Sequence, residues 1–125
     1  MIFQINCPDR ESDDFILWTV STEWLNTLGR LLAPYFPFRF TDMWVDHVET
    51  IAGRKLDTPI DMISQGDERH GTRGIWRLDY WYRLFNLLLS ERVAEAHRII
   101  SAVHESGSDQ HRLAMTNADE AVQHY

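Results

Sequence analysis

Residues 34–40, Pro-Tyr-Phe-Pro-Phe-Arg-Phe, constrain the fold of this chain more than any other stretch. Pro37 lacks an amide hydrogen and pushes Phe36 out of helical backbone geometry, so no helix runs through the segment. It reads as an extended connection carrying four aromatic rings, Tyr35, Phe36, Phe38 and Phe40. Helices are predicted on both sides of it. Upstream, Ser21 is an N-cap, and Trp24, Leu25, Leu28, Leu31 and Leu32 follow at helical spacing, weakened late by Gly29. Downstream, Thr41 or Asp42 caps a helix whose Trp44, Val48, Ile51 and Ala52 share one face. Gly53 suits the position just past its end, and Arg54 and Lys55 suit the negative pole there.

Away from this centre the chain alternates. Ile2–Ile5 and the apolar run Phe15–Val20 have strand length, separated by a polar, acidic loop from Cys7 to Asp14. Leu56, Pro59, Ile60, Met62 and Ile63 suggest an irregular edge strand. The three glycines between Gln65 and Gly74 mark a loop. A helix is expected from Ile75 to about Leu89, with Trp81, Leu84, Phe85 and Leu88 as its stripe. Ser90 caps the next, where Val93, Ala96, His97, Ile100 and Val103 face inward, and Gly107 ends it. A helix frayed from Asn117 onward is all that the polar end suggests. The whole predicts an α+β fold, a short mixed sheet of two or three strands with about four helices. Residues 1–105 form the folded body and 106–125 a polar tail.

Composition narrows the function. A chain of 125 residues holds one core. A net charge of −7 argues against a general nucleic-acid partner, which needs many phosphates neutralised. The single cysteine, Cys7, excludes an internal disulfide and a multi-thiolate zinc site. No apolar run is long enough for a membrane span, and the first residues lack the basic and apolar regions of a signal peptide. A cytoplasmic location is the expectation.

Three constellations carry possible chemistry. Asp42 lies where the aromatic segment enters a helix, with Asp46 one turn on, on the same face. A helix N-terminus favours the charged carboxylate, so Asp42 is either a simple cap or a group that accepts a proton from a sugar hydroxyl. The aromatics around it, Tyr35 and Trp44 among them, offer flat faces to a sugar ring or fill the core. The second constellation is Gly66–Gly74. Arg69 and Arg73 suit forked phosphate contacts, Thr72 stands between them, and the glycines allow close backbone approach. His70 could alternatively ligate a divalent metal, and a solvated loop is the plain alternative to both. The third is Asp79, for which an ion pair with Arg83 is the simplest reading. His47 and His97 read as packed histidines.

Read in order, Val-Ser-Thr-Glu-Trp-Leu-Asn-Thr-Leu-Gly (20–29), Pro-Tyr-Phe-Pro-Phe-Arg-Phe-Thr-Asp-Met-Trp-Val-Asp (34–46), Ile-Ala-Gly-Arg (51–54), Gly-Thr-Arg-Gly (71–74), Leu-Asp-Tyr-Trp (78–81) and residues 91–100 follow a pattern. Over roughly residues 1–105 the chain resembles the C-terminal, acceptor-side half of bacterial and phage nucleotide-sugar glycosyltransferases of the A-type fold. The resemblance implies transfer of a sugar from a nucleotide-diphosphate donor to an acceptor hydroxyl. It implies Asp42 as the base, Tyr35, Trp44 and Asp46 at the acceptor, and Arg69, His70, Thr72 and Arg73 at the donor diphosphate. Mn2+ or Mg2+ is implied as cofactor, with His70 as a weak metal ligand. The family's Asp-x-Asp metal motif and nucleotide-binding half have no counterpart here, which implies a missing N-terminal half or a second copy as partner. The alternative is a non-enzymatic interaction or assembly module, viral or bacterial, built on the same partial fold.

Overall fold

The computed structural model describes residues 2–5, 17–36, 40–58 and 77–124. Three short strands, β1 (Ile2–Ile5), β2 (Leu17–Val20) and β3 (Lys55–Thr58), form one sheet in the order β2-β1-β3. β1 runs antiparallel to β2, with Ile2 opposite Val20, and parallel to β3, with Ile2 opposite Lys55. The sheet is therefore mixed, and together with the helices it makes the fold α+β. The helices are α1 (Thr22–Leu28), α2 (Thr41–Ile51), α3 (Leu78–Leu87), α4 (Leu89–Val103) and α5 (Asp109–Gln123).

Local signals set several of these boundaries. The Ser21 side chain accepts the Trp24 backbone N–H at 3.3 Å, as an N-cap should. At the end of α2, Gly53 adopts φ 66°. Its N–H donates to the Thr50 carbonyl at 3.1 Å and that of Arg54 to the Glu49 carbonyl at 2.9 Å. That paired closure is a Schellman motif, which satisfies the last carbonyls and turns the chain sharply into β3.

Four expectations need correction. Neither Thr41 nor Asp42 caps α2: the cap position is Phe40, left-handed at φ 74° with no side-chain cap bond. A bulky residue there carries backbone strain. It is held by ring packing, with Phe40 5.6 Å from both Phe36 and Phe85. Ser90 lies inside α4, because Leu88 alone joins α3 to α4 and ends one helix as it begins the next. Val103 is 50% exposed rather than inward-facing. Finally, α5 begins at Asp109, capped by Ser108, which accepts the His111 N–H at 3.2 Å. Ala118 is fully buried on it, and the helix packs on α4 and α2. Cys7–Asp14, Phe15, Pro59–Ile63 and the 65–74 loop lie outside the described residues.

The core centres on α2. Trp44, Val45, Val48 and Ile51 are buried against Phe36, Phe40 and Phe85 on one side and Ile99 and Ile100 of α4 on the other. The aromatic connection therefore supplies core at both described ends of residues 36–40. α2 packs on α4, and α1 packs on α4 as well, so α4 is the shared backing of the helical layer.

Candidate functional site

The inner and outer sides of α2 differ in kind. On the outer side Asp42 is half-buried in the first turn, and its Oδ1 accepts the Met43 backbone N–H at 2.9 Å. Asp46 follows one turn later, also half-buried, and its Oδ1 accepts from Lys55 Nζ at 2.9 Å. The Thr50 hydroxyl donates to the Asp46 carbonyl at 2.7 Å, so the stripe runs Asp42, Asp46, Thr50 towards the Lys55 end. Met43 sits beside it, 40% exposed. The two carboxylates that the spacing paired do share this outer surface.

Trp44 does not. It is 2% exposed, and its Nε1 donates to Glu95 Oε2 at 2.7 Å across the helix interface. A buried indole presents no face to a sugar, so Trp44 is corrected from acceptor contact to core support. Tyr35 is 36% exposed, with its ring 5.5 Å from that of Trp44 and 5.6 Å from the Arg30 guanidinium carbon. Among the described aromatics of this group, Tyr35 is the exposed one. Asp79 pairs with Arg77 Nε at 3.4 Å, not with Arg83, and that bond holds its carboxyl below the ordinary value. Arg69, His70, Thr72 and Arg73 lie outside the described residues.

The inner side holds a polar network that apolar periodicity could not reveal. Glu95 and Arg92 of α4 are buried, as are His47 and Glu49 of α2. Glu95 accepts from Trp44 Nε1 and from Arg30, and Arg98 Nη2 stands 4.0 Å away. Arg92 donates from Nε to His47 Nδ1 at 2.7 Å and from Nη1 to the Phe85 carbonyl. Its guanidinium carbon lies 3.8 Å from the Phe85 ring centre, close enough for a cation–π contact. Burial and the neighbouring Arg92 charge push His47 down to about 4, so it is neutral at pH 7. A neutral imidazole is what the bond requires, since Nδ1 must accept. Glu95, Arg92 and His47 are buried and hydrogen-bonded within the protein, which suits positioning rather than substrate contact. One signal for them was present in the sequence: Arg92 and Glu95 fall on the same side of α4 as Ala96 and Ile99.

His97 is half-buried, with Nε2 3.7 Å from Asp119 Oδ1, and His111 Nε2 lies 3.1 Å from the Ser101 hydroxyl. Among the described residues no three His, Cys, Asp or Glu side chains gather as a metal site. No helix among them is long and apolar enough to cross a membrane. Comparison of the chain with family models, with curated proteins and with solved structures finds no match.

Proposed function

We propose that this region acts as the acceptor side of a nucleotide-sugar glycosyltransferase, with Asp42 taking the proton from the attacking hydroxyl. The observation that carries the reading is the placement of Asp42. It sits in the first turn of α2, half-buried on the outer surface, where a carboxylate is stabilised by the helix dipole yet open to a ligand. Asp46, held by Lys55, is its neighbour on that face, and Tyr35, whose exposed ring packs against Trp44, is the candidate aromatic contact for the acceptor. Trp44 contributes by fixing α2 against Glu95. In this reading a donor-binding half from a partner or a second copy holds the nucleotide, and Arg69, His70, Thr72 and Arg73 close on its diphosphate. Asp42 takes the proton as the acceptor oxygen bonds to the sugar and the nucleoside diphosphate leaves.

The test is calorimetric titration with UDP- and GDP-sugars, with and without Mn2+ or Mg2+, alone and with a candidate donor-binding half added, followed by a transfer assay. Donor binding is expected. Asp42→Asn is then expected to lower transfer by about 100-fold or more with donor affinity kept. Failure to bind any donor under all these conditions overturns the proposal.

A second reading, an interaction or assembly module, is favoured by the sheet. β2 is an edge strand whose outer side meets no other described strand, and open edges are templates for pairing with another chain. Light scattering separates the two: a stable assembly without donor binding favours the module, and a sharply monomeric chain counts against it.

A further inference from the structure

We infer that a groove at the other end of α2 binds a small organic anion with an apolar body. The groove has a volume of about 540 Å³ and lies between the start of α1, the turn from α2 into β3 and the C-terminal end of α4. That size falls within the range usual for small-molecule sites. Neither Asp42 nor Asp46 is in its lining, and Lys55, which holds Asp46, is the residue the two places share.

One wall is apolar and open. Leu56 and Val103 are 43% and 50% exposed there, beside Ile99 and Ala102. The indole of Trp24 lines the groove as well. The mouth carries charge. The Schellman turn after α2 delivers Arg54 and Lys55 in succession to the lining. Lys55 is engaged by Asp46 at 2.9 Å. Arg54 is half-buried and makes no ion pair with any described residue. The turn's backbone N–H groups already close the last α2 carbonyls, which leaves the guanidinium fork for a ligand. The one acidic residue of the lining, Glu23, is occupied locally. Its own backbone N–H and the Ser21 hydroxyl hold its carboxyl below the ordinary value. The lining thus carries two cations, Arg54 and Lys55, against the one carboxylate of Glu23, and the groove offers an apolar surface next to a forked cation that pairs with no described residue. A carboxylate, sulfonate or phosphate on an aromatic or aliphatic body complements both, and the planar fork favours two-point contact with such oxyanions.

The experiment is a fluorescence titration of the full chain with 8-anilinonaphthalene-1-sulfonate, with neutral N-phenyl-1-naphthylamine as control, checked by circular dichroism. One saturable site per chain is expected for the sulfonate. Arg54→Gln is expected to weaken the sulfonate about tenfold and the neutral amine less than about twofold. Val103→Asp is expected to weaken both about tenfold, because it places a charge on the apolar wall. Arg54→Lys keeps the cation and retains most of the sulfonate affinity, which separates charge from folding. Sulfonate binding that does not saturate, or that is unchanged in Arg54→Gln, overturns the inference.

Discussion

The two sides of α2 use charge in opposite ways. On the inner side, Trp44 donates to Glu95 and Arg92 donates to His47, and all four side chains are buried. On the outer side, Asp42 and Asp46 are half-buried, and Asp46 is tied to a Lys55 whose side chain is 32% exposed. One helix of 11 residues thus separates buried polar groups from half-buried carboxylates by face. Buried charges are costly to strand, whereas exposed pairs contribute little. Substitutions on the inner side should therefore register in the melting temperature, and those on the outer side in function.

The largest effect is expected at the hub of the inner side. Phe85 is 6% exposed and contacts the rings of Phe36, Phe40 and Trp44 as well as Arg92. Phe85→Ala should cost about 3–5 kcal/mol by urea denaturation. Glu95→Ala comes next at about 3 kcal/mol, because it strands a buried indole N–H and leaves Arg30 without its partner. Trp44→Phe deletes the bond to Glu95 and part of the buried ring volume and should cost about 2 kcal/mol. Lys55→Met, on the outer side, should cost less than about 1 kcal/mol. If Lys55→Met destabilised as much as Glu95→Ala, the distinction between the two sides would collapse.

Phe40 sharpens the same comparison at the point where the chain enters α2. Its φ of 74° is strained for any residue with a Cβ, while its ring is 5% exposed in the aromatic cluster. Phe40→Ala keeps the strain and loses the ring. Phe40→Gly loses the ring but relieves the strain, so it should be more stable than Phe40→Ala by about 1 kcal/mol. A glycine variant less stable than the alanine variant would show that the left-handed entry costs nothing.

The inner side also predicts a pH dependence. His47 falls from an ordinary value of 6.5 to about 4 in the folded protein. Between those values the unfolded chain binds the proton more readily, so stability rises with pH across the window. The contribution is complete above pH 6.5 and is lost as pH falls to about 4. His47→Asn offers an acceptor to Arg92 that does not titrate. Melting temperatures of the two proteins between pH 4 and 7 should diverge in slope, with the variant flatter; parallel curves would remove His47 as the cause.

Legibility in the sequence followed the range of each interaction. The Ser21 cap, the Gly53 closure and the Trp44–Val48–Ile51 stripe depend on residues a few positions apart, and all were readable. Glu95 meets Arg30 across 65 residues and Trp44 across 51, and although its place beside Ala96 and Ile99 marks it as inward, nothing local to α4 names either partner. Apolar periodicity placed Val103 inward and passed over Arg92, because it scores side chains by type and cannot see a partner for a charge. α5 was underestimated for a related reason. Its buried anchor is the small Ala118, with half-buried Ala114, Met115 and Val122 around it, a weak apolar signal in a polar stretch. At the candidate site, the shared face of Asp42 and Asp46 followed from helical spacing. The apolar stripe placed Trp44 on the core face, and the acceptor role the resemblance gave it is what its burial against Phe85 and Glu95 removes.

The most direct measurement pairs sugar transfer with thermal stability in Asp42→Asn, assayed with donor, divalent ion and donor-binding half together. The account predicts transfer reduced by about 100-fold or more with the melting temperature unchanged, since Asp42 belongs to the outer side. Transfer that persists at the parental rate, or is absent from the parent, would contradict it.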